Sequence, residues 1–329
     1  MYNKIHMKKS IFIILAAVVL MGHAAKAQQD AQYSQYIFNG IYINPAYAGY
    51  KEVLNLHTFY RNQWTGIEGS PKTLSLAVDA IANDGNVGLA LQVVNDKLGA
   101  QTNTSTYASY AYRLRMNADG SSRLAFGLSG GITQLGLDAS KLHPNDPEYS
   151  IGNGNNNVIL PDARVGIYFS NNQFFAGLSA DNLISSRYSD SKFKDIPKPS
   201  IHSYLTAGML IPLSTGIQLK PSFLFKEDFN GPTSLDLNAF MLFGEKLWIG
   251  GSYRTGVKLW DKKNLQKDLS RLNSVVGAIE VFPTSSLRIG YAYDFSVGPL
   301  QSYSGGTHEI SIAFMFRRGE MRMTTPRVF

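Results

Sequence analysis

The sequence predicts an all-β chain: a transmembrane outer-membrane β-barrel of about fourteen antiparallel strands, with an aromatic N-terminal segment that is periplasmic or lumenal. Three observations predict it. Segments of about ten residues alternate with period two, one face apolar and the other small or charged. The connections between them alternate between short and long. An export signal stands at the start, and only 17% of the residues are charged against 12% aromatic, which suits a surface that does not face water. The chain divides into 1–27 signal peptide, 28–50 aromatic segment, 51–318 barrel and 319–329 periplasmic tail.

The signal comes first. Lys8 and Lys9 precede the apolar run Ile11–Leu20, and Ala25-Lys26-Ala27 places small residues where a signal peptidase reads them. The run is too short to cross ~30 Å of hydrocarbon as a helix. The four lysines of residues 1–27 take the formal charge from +7 to +3 when they leave. No lipobox Cys is present, because the chain has no Cys at all; thiolate metal sites, thiol nucleophiles and disulfides are thereby excluded.

The segment Gln32–Tyr50 follows. It carries Tyr33, Tyr36, Tyr42, Tyr47 and Tyr50, no charge, and turn signals at Asn44-Pro45 and Ala48-Gly49. Such a stretch can line a wet cavity or cap a barrel end. Strands are then expected at 52–62, 71–81, 86–95, 102–115, 121–132, 162–170, 173–180, 201–211, 216–226, 233–243, 246–255, 272–282, 286–296 and 306–318. Leu74, Leu76 and Val78 share one face of the second, for example, and Ser75, Ala77 and Asp79 the other. The strand at 173–180 carries the weakest pattern.

Short hairpin connections are expected at Ala82–Gly85, Met116–Gly120, Asn171-Asn172, Pro212–Thr215, Gly244-Glu245 and Pro283–Ser285. The opposite set is mostly longer: Gln63–Ser70, Thr133–Pro161, Asp181–Ser200, Gly256–Arg271 and Val297–Gly305, with Asp96–Gln101 and Glu227–Pro232 as shorter members. An outer-membrane barrel has short periplasmic turns and longer surface loops. An even strand count places both ends of the barrel on the turn side. A soluble sandwich would also alternate, but neither the loop pattern nor the signal requires one.

Charge sits on the face opposite the apolar one: Asp79, Arg113, Arg115, Arg123, Arg164, Lys220, Asp236, Arg254, Glu280, Arg288, Asp294 and Glu309. In a barrel these are lumen charges. Aromatic residues near strand ends, such as Tyr60, Tyr112, Phe225, Phe243, Phe295 and Phe316, match interfacial girdles.

No enzyme signature is present. His57 is the best lumen histidine, yet no GxSxG, HExxH or other nucleophile–base pattern accompanies it. Asn145–Glu148 with Asn153–Asn157 offers oxygen donors without the spacing of a calcium loop, and reads as a polar surface loop. Gly130-Gly131 and Gly250-Gly251 read as close packing or sharp curvature in strands. No cofactor, metal or nucleic-acid partner is expected; Arg317-Arg318 with Arg322 and Arg327 is a short tail.

Tyr33-Ser34-Gln35-Tyr36, Asn39 and Ile43-Asn44-Pro45-Ala46-Tyr47-Ala48-Gly49 resemble the opening of the PorP/SprF family, outer-membrane proteins of type IX secretion and gliding. Further blocks are similar: Tyr60-Arg61-Asn62-Gln63-Trp64 running to Gly69-Ser70-Pro71, then Leu142–Pro147 with Pro161-Asp162, then Pro199–Gly208. The resemblance implies a fourteen-strand barrel in outer-membrane lipid. As partners it implies a secreted surface adhesin or its C-terminal domain, or periplasmic peptidoglycan-linked or motor-ring proteins. The sites it suggests for partner binding or for plugging the pore are Tyr33, Tyr36, Asn39, Asn44, Pro45, Tyr47, Arg61 and Trp64. Arg61 also reads as a lumen charge paired with an acid, and Trp64 as a girdle residue. A passive or substrate-specific channel is the alternative, distinguished by whether the lumen is open.

Overall fold

The computed structural model describes residues 31–141, 155–188, 199–229, 231–260, 262, 273–297 and 299–316. The expected signal peptide, His143, the calcium-like run up to 154 and the tail beyond 316 lie outside them.

Fifteen strands form one antiparallel sheet that closes on itself. They are β1 (Leu54–Asn62), β2 (Lys72–Ala82), β3 (Val87–Leu98), β4 (Gln101–Arg115), β5 (Arg123–Asp138), β6 (Asn155–Ser170), β7 (Phe174–Asp181), β8 (His202–Met209), β9 (Ile211–Ser214), β10 (Ile217–Glu227), β11 (Thr233–Phe243), β12 (Leu247–Val257), β13 (Asn273–Val281), β14 (Leu287–Val297) and β15 (Thr307–Phe316). Neighbours in sequence pair throughout except β8 and β9, and β1 pairs β15 from Leu54↔Phe316 to Asn62↔His308. β8 and β9 both pair β10, one beyond the other, so they are two parts of one stave and the barrel has fourteen.

Period two becomes inside and outside. On β2, Leu74 is 55% exposed while its neighbour Ser75 is 1% exposed. The same holds for Tyr110 and Tyr112 against Ala111 and Arg113 on β4, and for Ile310, Ile312 and Phe314 against Glu309, Ser311 and Ala313 on β15. A large apolar residue facing out on every stave is costly in water and favourable in hydrocarbon. No helix among the described residues is long and apolar enough to cross a membrane; this barrel crosses with strands.

Several boundaries differ from the sequence expectation. β5 runs to Asp138 and β6 starts at Asn155, so most of the expected loop 133–161 that is described is a hairpin extension. Crossing a bilayer takes only ~9–11 residues, and these strands have sixteen. Above the membrane their outer face loses its apolar pattern at Gln134 and Gly136, which made the stretch read as loop. Its inner face holds Leu135, Val158 and Leu160 as a small buried cluster, with Leu137 buried as well.

β3 runs to Leu98, leaving only Gly99-Ala100 before β4, so one loop-side connection is tight. The expected strand 201–211 breaks at Leu210, whose N–H donates to the Gln173 carbonyl at 2.6 Å. Pro212 follows and cannot donate to a ladder, which confines it to such an irregularity. β1 starts at Leu54 rather than 52, because Lys51 still belongs to the segment inside the barrel. The weak strand near 173–180 is present as β7 and pairs on both sides.

Candidate functional site

The barrel is filled by its own N-terminal segment. Every residue from Tyr33 to Lys51 is buried. The segment makes three 3-10 turns, Tyr36–Phe38, Gly40–Tyr42 and Pro45–Tyr47. The sequence dictates the last two locally. Asn39 and Asn44 are extended caps whose side-chain oxygens accept from the N–H of Ile41, at 3.5 Å, and of Ala46, at 2.9 Å. Pro45 sits at the first helical position, where a missing N–H costs nothing.

The segment runs from the loop side to the turn side. Gln32–Gln35 sits against the loop-side parts of β1, β14 and β15, and Gly49–Glu52 leaves at the turn side into β1. The sequence expectation places this segment back into, or over, the barrel mouth; its start lies deep in the barrel, near the surface-facing half.

An ionic cluster holds that start. Arg61 contacts Asp294 at 2.7 Å and Glu309 at 2.9 Å, all three buried. Arg254 contacts Asp236 at 3.0 Å and Asp294 at 3.6 Å, and Lys226 contacts Asp236 at 3.2 Å. The charges balance as three cations and three carboxylates. The segment supplies hydrogen bonds that such a desolvated cluster needs. The Ser34 and Gln35 N–H groups donate to Glu309 at 2.9 and 2.8 Å. The Ser34 hydroxyl donates to Asp294 at 2.7 Å and accepts from Arg61 at 2.8 Å. Gln35 bonds the Glu309 carbonyl and the Ser311 hydroxyl.

Aromatic residues fill the middle. Tyr33, Tyr42 and Phe59 pack together with centroids 4.8–5.2 Å apart. Tyr36 accepts a hydrogen bond from Asn238 at 2.8 Å, Phe38 lies edge-on to Phe240, and Tyr47 and Tyr50 pack on Tyr168. Lys220 donates to the Ile37 carbonyl at 3.2 Å. His57 is buried between Tyr42 and Phe59, and its ring nitrogens make no hydrogen bond.

Glycines on the inner wall are the seat. A Cβ on Gly88 would run into the Ala48 carbonyl, one on Gly127 into the Ala46 backbone, one on Gly166 into the Asn44 side chain, and one on Gly290 into Gln35. Asn44 reaches the wall there, donating to the Ile167 carbonyl at 3.1 Å, and the Ser179 hydroxyl donates to the Ile43 carbonyl. At Gly88 and Gly127 the close approach of two backbones requires glycine, and at Gly166 and Gly290 a side chain of the segment takes the space.

The turn-side exit carries the remaining charges. Gly49 N–H donates to Asp79 at 3.2 Å, and Asn55 bridges Asp79 and Arg288. Arg288 lies 3.7 Å from Glu280. Arg113 and Arg123 both contact Glu52 at 3.0 Å. Lys51 is buried with its ammonium unbonded. Burial, with the Arg288 guanidinium adding to it, holds that ammonium well below the usual lysine range.

Of the residues expected to bind or plug, Tyr33, Tyr36, Asn39, Asn44, Pro45 and Tyr47 therefore lie together in the lumen, with Arg61 beside them. Trp64 lies apart, half-buried at the loop-side end, its backbone N–H donating to the Thr307 hydroxyl at 3.1 Å. Of the expected lumen charges, Arg164 faces the inner side and stacks over Tyr107 at 3.7 Å. Arg115 is instead exposed at the turn rim, donating to the Asp84 carbonyl at 2.7 Å, because β4 outruns the lumen there. Sequence reasoning singled out neither Ser34 and Gln35 nor the four seat glycines. Each glycine was visible as a gap in an inward face, but its meaning depends on which wall position meets the segment. Above the segment, on the loop side, a cavity of about 100 Å³ is lined by residues including Gln32, Tyr36, Asp96, Arg164, Asp181 and Lys226.

The sequence model of a family described as "Type IX secretion system membrane protein PorP/SprF" matches residues 25–314. No curated protein matches the chain. Among solved structures, "CymD monoaromatic hydrocarbon channel" superposes with a TM-score of 0.52 at 11% identity, covering 91% of this chain and 96% of that one. The Acinetobacter baumannii outer membrane protein Omp33 gives 0.45 at 9% identity, covering 81% and 100%. The first likeness is one of fold, a closed outer-membrane barrel.

Proposed function

Because the chain belongs to the PorP/SprF family of type IX secretion system membrane proteins, we propose that this outer-membrane barrel is a sealed, non-enzymatic scaffold of that machinery rather than a diffusion channel. On the surface side it helps a secreted adhesin, through that adhesin's C-terminal domain, to reach and stay on the cell. On the turn side it offers a footing to periplasmic peptidoglycan-linked or motor-ring proteins. The observation that carries this reading is the uninterrupted burial of Tyr33–Lys51 inside the barrel. A channel needs an open path, and a scaffold does not. The projecting β5–β6 hairpin and the cavity beneath the loops give the surface side relief for a protein partner.

The test is a detergent pull-down of the tagged full-length protein from its native envelope, with the same preparation in a planar bilayer. Co-purification of a large surface adhesin or of type IX components, with no steady conductance, is the expected result. A partner-free barrel that conducts ions steadily overturns the reading in favour of a channel.

A further inference from the structure

The outer face of the barrel changes character abruptly on its loop side. The residues Tyr293, His308, Asn62, Lys72, Lys97 and Thr102 are direct cross-strand partners in one continuous row over β14, β15, β1, β2, β3 and β4. All six point outward, by the alternation that turns Asp294, Glu309, Arg61, Thr73 and Asp96 inward. One step toward the membrane centre, the outward row is Tyr291, Ile310, Tyr60 and Leu74, each exposed, followed by Asn95 and Thr104, so that on β3 the apolar face begins one step lower, at Val93.

Within this row Lys72 and Lys97 lie directly opposite each other, and both are exposed. Like charges in a direct pair repel and weaken a sheet. Among the described residues no carboxylate pairs with either lysine. The acid beside Lys97 is Asp96, which faces inward and accepts from the Thr73 hydroxyl at 2.5 Å. Glu68, in the loop from β1 to β2, is exposed and contacts neither lysine.

The height of the pair identifies what would neutralise it. On β2 the outward residues from Ala82 to Leu74 are apolar, and Lys72 comes next. Eight residues of strand are ~27 Å long, or ~21 Å across a membrane at a tilt of ~40°. The apolar band of such barrels is ~25 Å tall. Lys72 and Lys97 therefore stand at the headgroups of the outer leaflet, on the side of the surface loops.

We propose that this row is a docking site for a phosphorylated glycolipid of the outer leaflet. Lys72 and Lys97 together hold one phosphate, Thr102 offers a hydrogen bond to the sugars beside it, as does His308 through the ring nitrogen that does not meet the Tyr291 hydroxyl, and the acyl chains lie on Leu74, Leu76, Leu89 and Leu91 below. Charge complementarity argues for the phosphate, and continuity with the lipid-facing band argues for a lipid as its carrier. The site does not depend on the scaffold reading.

The test uses the full-length protein in detergent, native mass spectrometry, and two probes: phosphate-bearing lipid A and the same glycolipid with its phosphates removed. Wild type is expected to retain the phosphate-bearing form about tenfold better or more, as two lysines near an anionic headgroup imply, and to lose that preference at high salt. The double variant K72Q/K97Q is expected to lose it at low salt too, with thermal unfolding unchanged, because both side chains leave the wall outward. Equal retention of the two glycolipids by wild type, or an undiminished preference in K72Q/K97Q, overturns the proposal. Should K72Q/K97Q not fold, the wild-type comparison of the two probes decides alone.

Discussion

Lys51 stands where the lumen segment turns into β1, and its charge is poorly accommodated there. Its ammonium is buried without a hydrogen bond. Burial and the nearby cations Arg288 and Lys220 disfavour the charge, while Glu280 and Asp79 favour it, and the balance lowers its proton affinity. The sign of the consequence is fixed by linkage. Between the depressed folded value and the ordinary value of about 10.4, the unfolded chain holds a proton that the folded chain rejects. Stability therefore rises with pH through that window. A thermal unfolding series is expected to show wild type gaining stability as pH rises toward the ordinary lysine range, and Lys51→Met to be flatter and more stable at the low end. An identical slope in Lys51→Met would show that the ammonium is solvated after all.

At the scale of elements, the decisive fit is between two backbones. The Pro45–Tyr47 turn lies against β5 and β6 so closely that Gly127 and Gly166 leave no room for a side chain. β5 itself does not need a glycine at 127, since its ladder to β4 and β6 is regular there. Gly127→Val should therefore leave a folded barrel but unseat the segment, because the new side chain occupies the space of the Ala46 backbone. The expected readout is the appearance of steady conductance in a planar bilayer together with new protease cleavage between Tyr33 and Tyr50. Silence in both assays would mean that the segment shifts along the wall without losing its seat.

For the whole molecule, barrel and filling are separable in their hydrogen bonding. No strand of the closed sheet uses a residue before Leu54. The ionic cluster keeps its mutual pairs of Arg61, Arg254 and Lys226 with Asp236, Asp294 and Glu309 when the segment is gone. Deleting residues 32–50 is thus expected to give a barrel that still migrates as a folded species before heating, with a lower melting temperature and an open pore. Failure to fold at all would make the segment part of the barrel's assembly rather than its stopper.

Much of this architecture was legible in the residues. Alternation such as Leu74–Asp79 fixed inside and outside on each stave, because a strand has period two and lipid on one face penalises any slip. Short and long connections marked the two rims, and Arg61 with its acids read as lumen charge because polar groups opposite an apolar face have nowhere else to go. The extended β5–β6 hairpin was hidden, since above the membrane an outer face such as Gln134 and Gly136 has no reason to be apolar. The seat was hidden for a deeper reason. Gly88, Gly127, Gly166 and Gly290 acquire meaning only from what approaches them, and Gln32–Gln35 finds Glu309 and Asp294 across more than two hundred residues of sequence. Local pattern determined that a barrel forms and which way each side chain points. Closure of the sheet decided which side chains meet inside it, because that depends on register accumulated around the whole circumference.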